Sequence, residues 1–191
     1  AHIKNFNNLS GIASAKSEMI NNIIDGGTIV LNKDDRYFNL LKNKALRKKI
    51  KVISFSMKNK ADIRMVNILK KGNYYVLFIM INKKIKKFII KENLRSYLPN
   101  ILATIATISN YLNTNDFKEN IFYNYTLPKG RGDLSKIKIQ NKTINILDES
   151  YNSNPLSLEF AINNFDKMNV NSKCKNILLG DMLELGKYSK K

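Results

Sequence analysis

Two polar turns, each placed straight after an apolar run, constrain this chain more than any other feature. Asp148-Glu149-Ser150-Tyr151-Asn152-Ser153-Asn154-Pro155 closes one apolar stretch and opens a helix. Gly180-Asp181-Met182-Leu183-Glu184-Leu185-Gly186 follows another apolar stretch about one βαβ unit later. Open α/β sheets bind ligands beyond the carboxyl ends of their strands, so both turns are candidate ligand-facing loops. Where such a turn opens a helix, free backbone N–H groups and the helix dipole favour anions. The plainer reading of the first turn is a strand-to-helix loop with a good start signal, Asn154 as cap and Pro155 at the first helical position.

Composition narrows the alternatives. With 191 residues, 43% of them hydrophobic, the chain can hold one ordinary domain or parts of two and does not resemble a disordered segment. Its longest unbroken apolar run, Tyr74 to Ile81, suits a buried strand and falls far short of the roughly 20 residues of a membrane-spanning helix. No membrane insertion is expected. The chain opens Ala1-His2-Ile3-Lys4, with no initiator methionine, basic leader or apolar signal segment, which reads as a fragment of a cytoplasmic protein. Cys174 is the single cysteine, so an internal disulfide and a multi-cysteine zinc site are excluded. The formal net charge of +18 raises nucleic-acid binding as a rival. Arginine, the residue of bidentate phosphate and base contacts, stands only at positions 36, 47, 64, 95 and 131. The lysines are spread from end to end, as on a solvated surface, and no nucleic-acid partner is expected.

Periodicity predicts an amphipathic helix over Ser10 to Ile24, ended by Gly26-Gly27. A strand (Thr28 to Leu31), a turn with a capping Asp, a helix (Arg36 to Lys48) and a second strand (Lys51 to Phe55) follow. That order implies a parallel sheet with crossover helices. Three β-rich runs between Ile63 and Lys91 predict a small antiparallel meander appended to it, and a helix from Leu98 or Pro99 to Leu112 comes next. Asp116 and Glu119 have the spacing of a capping box, which predicts a short helix over Asp116 to Tyr123. Pro128-Lys129-Gly130-Arg131-Gly132-Asp133 is the best domain boundary. Beyond it the pattern predicts strands Ile137 to Ile139 and Thr143 to Leu147, a helix from Pro155 to about Met168, and a strand from Asn176 to Leu179.

Four further strings could carry chemistry, and each has an ordinary explanation beside it. His2 is the only histidine, and a lone histidine is usually structural or merely exposed; Lys16, in Ala15-Lys16-Ser17-Glu18, would ordinarily be a solvated helix lysine. Asn32-Lys33-Asp34-Asp35 is fully explained as a strand-to-helix turn. Leu94-Arg95-Ser96-Tyr97-Leu98-Pro99-Asn100-Ile101-Leu102-Ala103 opens a helix, and Gly130-Arg131-Gly132 is a flexible turn unless its place before the Asp148 strand matters.

Taken together, these strings resemble the Mur ligases, the ATP-dependent enzymes that build the peptidoglycan stem peptide. Within that family they are most similar to the member that adds D-alanyl-D-alanine. The resemblance implies an α/β fold: part of a parallel-sheet P-loop-type ATPase domain with a small antiparallel meander (residues 1–127), then the start of a Rossmann-like carboxy-terminal domain (128–191). It implies ATP and Mg²⁺ as cofactors, and UDP-N-acetylmuramoyl-tripeptide and D-alanyl-D-alanine as substrates of a full-length monomer. His2 and Lys16 would serve the metal, Lys16 as a carbamate, since Mg²⁺ prefers oxygen ligands and an ammonium could not sit there. Asn100 would read adenine, although Leu94, Ser96 and Tyr97 stand where the family has Gly, His and Asn, so Tyr97 could instead stack on the base. Arg131, Asp148, Tyr151 and Asn152 would form the nucleotide side of a closed cleft, with Glu149 replacing the usual second Asp; the roles of Asp181 and Glu184 stay open.

No Gly-x-x-Gly-Lys-Thr loop occurs in the 191 residues, so no ATP turnover is expected of them alone. A split subunit, a relic and a folylpolyglutamate-synthase-like ligase remain alternatives. The last fits Asp148 to Pro155 and Gly180 to Gly186 less well.

Overall fold

A computed structural model describes residues 8–151, 153–168 and 174–182. They fall into two compact units, one spanning Ala13–Tyr125 and the other combining Ala1–Ile12 with Thr126–Lys191.

The larger unit is built on a five-stranded mixed sheet in the order β1-β2-β3-β4-β5. Strands β1 (Thr28–Asn32) and β2 (Lys51–Ser56) pair in parallel, joined by a crossover through helix α2 (Phe38–Arg47). Strand β3 (Ile63–Lys71) continues the parallel order through a short register beside β2, Phe55 and Ser56 opposite Ile63 and Arg64. β4 (Tyr74–Ile81) and β5 (Lys84–Lys91) then run antiparallel, the expected meander. The β4–β5 turn is only two residues long, and Asn82 and Lys83 both have positive φ (49° and 65°). That geometry matches the right-handed twist of the flanking strands.

Alternation along the strands decides which side is core. In β4, Tyr75, Leu77, Ile79 and Ile81 are buried while the residues between them are partly exposed, the period-two signature of a one-sided strand. Helix α3 (Leu98–Ile108) packs on β1, β2 and β3 and buries Leu98, Ile101, Leu102, Ile105 and Ala106, a stripe of helical period. A second cluster joins Ile20, Ile29, Leu31, Phe38, Ala45 and Ile50 around α2. The first predicted helix forms as α1 (Leu9–Ser17) followed by a 3₁₀ turn (Glu18–Asn22). Lys48 locks that turn to the end of α2, its Nζ donating to the carbonyls of Ile20 (3.3 Å), Asn21 and Ile23 (2.7 Å).

Two expectations are corrected. Residues 116–123 do not form a helix; a 3₁₀ turn covers Thr114–Asp116 and turns follow. The Glu119 carbonyl, which a helix would use internally, accepts instead from Ile89 N of edge strand β5 at 2.7 Å. Pairing with the sheet edge outweighs the local capping signal. Asn176 to Leu179 is not a strand either. A buried parallel strand needs a sheet neighbour, and the only sheet described in the second unit is the antiparallel hairpin of β6 (Asp133–Ile139) and β7 (Lys142–Asp148). Leu178 is accordingly 99% exposed. The helix after the hairpin forms as expected, as α4 (Pro155–Lys167).

Among the described residues, no helix is long and apolar enough to cross a membrane. The packing predicts that Leu102→Ala, which empties a fully buried position on α3, costs about 2–5 kcal/mol. Leu178→Ala should stay within about 0.5 kcal/mol. Urea unfolding of both variants checks the contrast, and equal losses would contradict it.

Candidate functional site

Arg131, Asp148 and Tyr151, singled out separately in the sequence, come together in the second unit. Antiparallel pairing of β6 with β7 sets Asp133 opposite Asp148. Beyond that pair the chain leaves the ladder as two turns that remain laced together. Gly132 N donates to the Asp148 carbonyl at 2.7 Å, and Tyr151 N donates to the Gly130 carbonyl at 3.0 Å. Gly130 N donates to Asp133 Oδ1 at 2.6 Å, closing the first turn. Ser150 N donates to Asp148 Oδ1 at 2.9 Å, closing the second.

Glycine at 130 is a geometric requirement here. Its φ is +73°, and a Cβ would lie 3.0 Å from Tyr151 N and 3.1 Å from Tyr151 Cβ. Arg131 rises from between two buried glycines, and its guanidinium carbon lies 4.1 Å from the centre of the Tyr151 ring.

Three carboxylates, those of Asp133, Asp148 and Glu149, lie near one another at the open end of the hairpin. Hydrogen bonds from the side chain and backbone of Ser150 hold the Asp148 carboxyl below its usual value. Glu149 is pushed the other way, first by partial desolvation of its carboxyl and then by repulsion from Asp148 and Asp133. Asp133 is the member that sequence reasoning missed. Its only signal is its place three residues after Gly130, where it reads as part of a flexible turn. Asn152 and Glu184 lie outside the described residues; Asp181 is described and exposed. The helix-start signal is realised in full. Asn154 Oδ1 accepts from Ser157 N at 3.0 Å, and Ser157 Oγ accepts from Asn154 N at 2.9 Å.

The larger unit holds the other described candidates. Lys16 is exposed, next to Ser17, whose hydroxyl accepts from Lys44 Nζ at 3.0 Å. Asn100 is exposed in the first turn of α3, and its carbonyl accepts from Thr104 Oγ1 at 2.9 Å. No hydrogen bond among the described residues joins either side chain to another candidate. His2, the expected metal ligand, lies outside the described residues. Among the described residues no group of three or more His, Cys, Asp or Glu could hold a metal. Unmodified Lys16 offers no oxygen, so the described residues alone do not make a magnesium site.

The Asn32–Asp35 turn divides its work between its two aspartates. Asp35 does not cap α2 as expected: its Oδ1 accepts from Tyr37 N at 2.7 Å and closes a turn ahead of the helix, whose N-cap residue, Tyr37, makes no side-chain cap bond. Asp34 reaches across to the end of β2 and accepts from Ser56 Oγ (2.5 Å), Met57 N (2.6 Å) and Asn59 Nδ2 (2.8 Å). Asp62, in the loop between β2 and β3, turns back onto β2 and accepts from Ser54 N (2.8 Å) and Ser54 Oγ (2.6 Å). Burial alone would raise both carboxyls, but these hydrogen bonds outweigh it and hold both below the usual value. Neither Ser54 nor Ser56 stands out in the sequence; each occupies an apolar strand at a place where a long-range partner needs a hydroxyl.

Two predictions follow from this geometry. Gly130→Ala should strain the left-handed backbone by about 1–2 kcal/mol and lose hydrogen-exchange protection at the Gly132 and Tyr151 amides. Unchanged protection would contradict the lacing. Asp34→Ala should cost about 1–2 kcal/mol near neutral pH, the scale of hydrogen bonds to a partly solvated charged group. Because the folded carboxyl sits below its ordinary 3.8, that contribution is complete above this value and is lost as pH falls through the folded pKa. The stability gap to the unsubstituted protein should therefore close in acid; a gap independent of pH would contradict it.

Known proteins give this geometry its family. Residues 1–108 match the Mur ligase middle domain. The UDP-N-acetylmuramoyl-tripeptide--D-alanyl-D-alanine ligase of Rickettsia prowazekii is 26% identical over 190 residues, which are 97% of this chain and 40% of that enzyme. The UDP-N-acetylmuramate--L-alanine ligase of Borrelia garinii is 26% identical over 174 residues, 87% of this chain and 36% of that enzyme. The chain thus spans about two fifths of the length of these relatives. Among solved structures, MurF from Acinetobacter baumannii superimposes with a TM-score of 0.69 at 20% identity, over 88% of this chain and 36% of that one. MurF ligase from Thermotoga maritima in complex with ADP gives 0.67 at 17% identity, over 88% and 37%. The mixed α/β fold is the one expected, and with more than half of its residues matched to a Mur ligase domain, the chain belongs to the Mur ligase family.

Proposed function

We propose that this protein takes part in ATP-dependent amide-bond formation on a peptidoglycan precursor, joining D-alanyl-D-alanine to UDP-N-acetylmuramoyl-tripeptide. The observation that carries this reading is the identity of 26% over 190 residues with the Rickettsia ligase of that specificity. The tripeptide carboxylate attacks the γ-phosphorus of ATP, the bond to ADP breaks, and an acyl phosphate forms. The dipeptide amine then attacks the acyl carbon, loses a proton and expels inorganic phosphate. Catalysis of such a transfer rests on positioning and on stabilising phosphate charge.

Within this chain we assign residues 1–127 to the central domain and 128–191 to the start of the carboxy-terminal domain. Arg131 offers its fork of N–H donors to phosphate oxygens, and Asp148 offers a carboxylate to the ribose hydroxyls. Tyr151 and Asn152 belong to the same nucleotide side. Asn100 reads adenine through its amide. A carbamylated Lys16 and His2 would hold magnesium, which when bound would screen the charge of the phosphates. The exposure of Lys16 supports this, since its amine is open to dissolved CO₂. We place the protein in the cytoplasm as a monomer, in keeping with its single cysteine.

A second reading is favoured by the Borrelia relatives, whose acceptor is L-alanine. A ligation assay on the protein as its cell makes it separates the two. Product is expected from UDP-N-acetylmuramoyl-tripeptide with D-alanyl-D-alanine; product only from UDP-N-acetylmuramate with L-alanine would overturn the choice. Arg131→Ala should lower kcat/KM by about 10²-fold or more, the scale for loss of a preorganised charge donor. The 191-residue chain by itself, which has no Gly-x-x-Gly-Lys-Thr loop, should show no ATP turnover. Measurable turnover would contradict that expectation.

A further inference from the structure

We infer that Tyr151 is a positioning residue: its ring is the platform on which Arg131 is held, and it serves the nucleotide through Arg131 rather than by touching it. The inference rests on the reading of Arg131 as a phosphate ligand and specifies how that ligand is held.

The ring face is already taken. The Arg131 guanidinium carbon lies 4.1 Å from its centre, whereas the other cation–aromatic pairs among the described residues, such as Arg36 on Tyr37 (5.1 Å) and Arg95 on Tyr75 (5.2 Å), are at least 1 Å further apart. A face stacked on a guanidinium at this distance is closed to adenine from that side. The stack leaves the N–H donors at the guanidinium edge, where bidentate contact with phosphate oxygens is made.

Both partners are anchored by main chain. Arg131 stands between Gly130, whose carbonyl accepts from Tyr151 N, and Gly132, whose N–H donates to the Asp148 carbonyl. The two Cα positions are therefore fixed by the backbone before the side chains meet. An arginine on an exposed turn would otherwise lose much of its rotamer freedom when it engaged a ligand. Here the ring has already removed part of that freedom, which is preorganisation of the binding group. Gly130 is part of the device, because a Cβ there would press on the Tyr151 backbone. The phenolic hydroxyl has no part in the stack, so the inference separates ring from hydroxyl. Tyr151 is 66% exposed, so substitutions there should leave the fold intact.

The test uses ADP as the probe, with Tyr151→Phe, Tyr151→Leu, Arg131→Ala and the Arg131→Ala/Tyr151→Leu double variant. In the protein without ligand, the Arg131 side-chain proton resonances should show an upfield ring-current shift, kept in Tyr151→Phe and lost in Tyr151→Leu. Unshifted resonances in the unsubstituted protein would overturn the platform, whatever the nucleotide does. For ADP affinity, Tyr151→Phe should match the unsubstituted protein, and Tyr151→Leu should weaken binding about two- to five-fold, the scale of an exposed cation–π contact. In the Arg131→Ala background, Tyr151→Leu should add nothing further. If Tyr151→Phe loses as much as Tyr151→Leu, or if the losses at 131 and 151 add in full, Tyr151 touches the ligand itself and the inference fails alone. If ADP does not bind, or binds Arg131→Ala as tightly as the unsubstituted protein, the phosphate role of Arg131 fails and this inference falls with it.

Discussion

The candidate site depends on a backbone interaction: the continued pairing of two turns past the end of the β6–β7 ladder. Gly132 N donates to the Asp148 carbonyl, and Tyr151 N donates to the Gly130 carbonyl, beyond the last paired residues of the hairpin. Each bond alone is worth about 1 kcal/mol. Their consequence is larger than their energy, because they place a guanidinium, an aromatic ring and three carboxylates at one end of a small hairpin. Removal of the glycines would separate these groups without touching any of them.

The larger unit solves a related problem with side chains. Parallel strands end in backbone groups that no neighbouring strand satisfies, and the loops that follow must be tied down. Asp34 and Asp62 do this with carboxylates that reach to Ser56, Met57, Asn59 and Ser54. Asp34 ties the carboxyl end of β1 to that of β2, and Asp62 ties the loop before β3 back to β2. Open α/β sheets use this edge for binding, so a stitch that stiffens it also stiffens any site built there.

Periodicity made much of the architecture legible in the sequence. The parallel β1–β2 pair, the meander, and helices α2, α3 and α4 announced themselves through alternation, β-branched runs and start signals such as Asn154-Pro155. Local signals failed where a distant partner decided the outcome. The Asp116 and Glu119 spacing resembles a capping box, yet the Glu119 carbonyl belongs to Ile89 across the sheet edge. Asn176 to Leu179 has the composition of a strand, but a strand also needs a neighbour. At the site, Arg131, Asp148 and Tyr151 were each visible as types in a turn, while their adjacency was not, because register between β6 and β7 is a property of pairing. Ser54 and Ser56 were invisible because each acts through a bond to a carboxylate further along or back in the chain, and Asp133, although bonded to nearby Gly130, because its place opposite Asp148 is set by that same pairing.

The proposed function requires that a carboxylate be activated by phosphoryl transfer before the amide forms. Oxygen-isotope tracing tests it most directly. UDP-N-acetylmuramoyl-tripeptide labelled with ¹⁸O in its terminal carboxylate is incubated with ATP, D-alanyl-D-alanine and the protein as its cell makes it, and the released phosphate is analysed by mass. An acyl phosphate carries one labelled oxygen into the phosphate, and that transfer is the predicted result. Amide product accompanied by unlabelled phosphate would contradict the account.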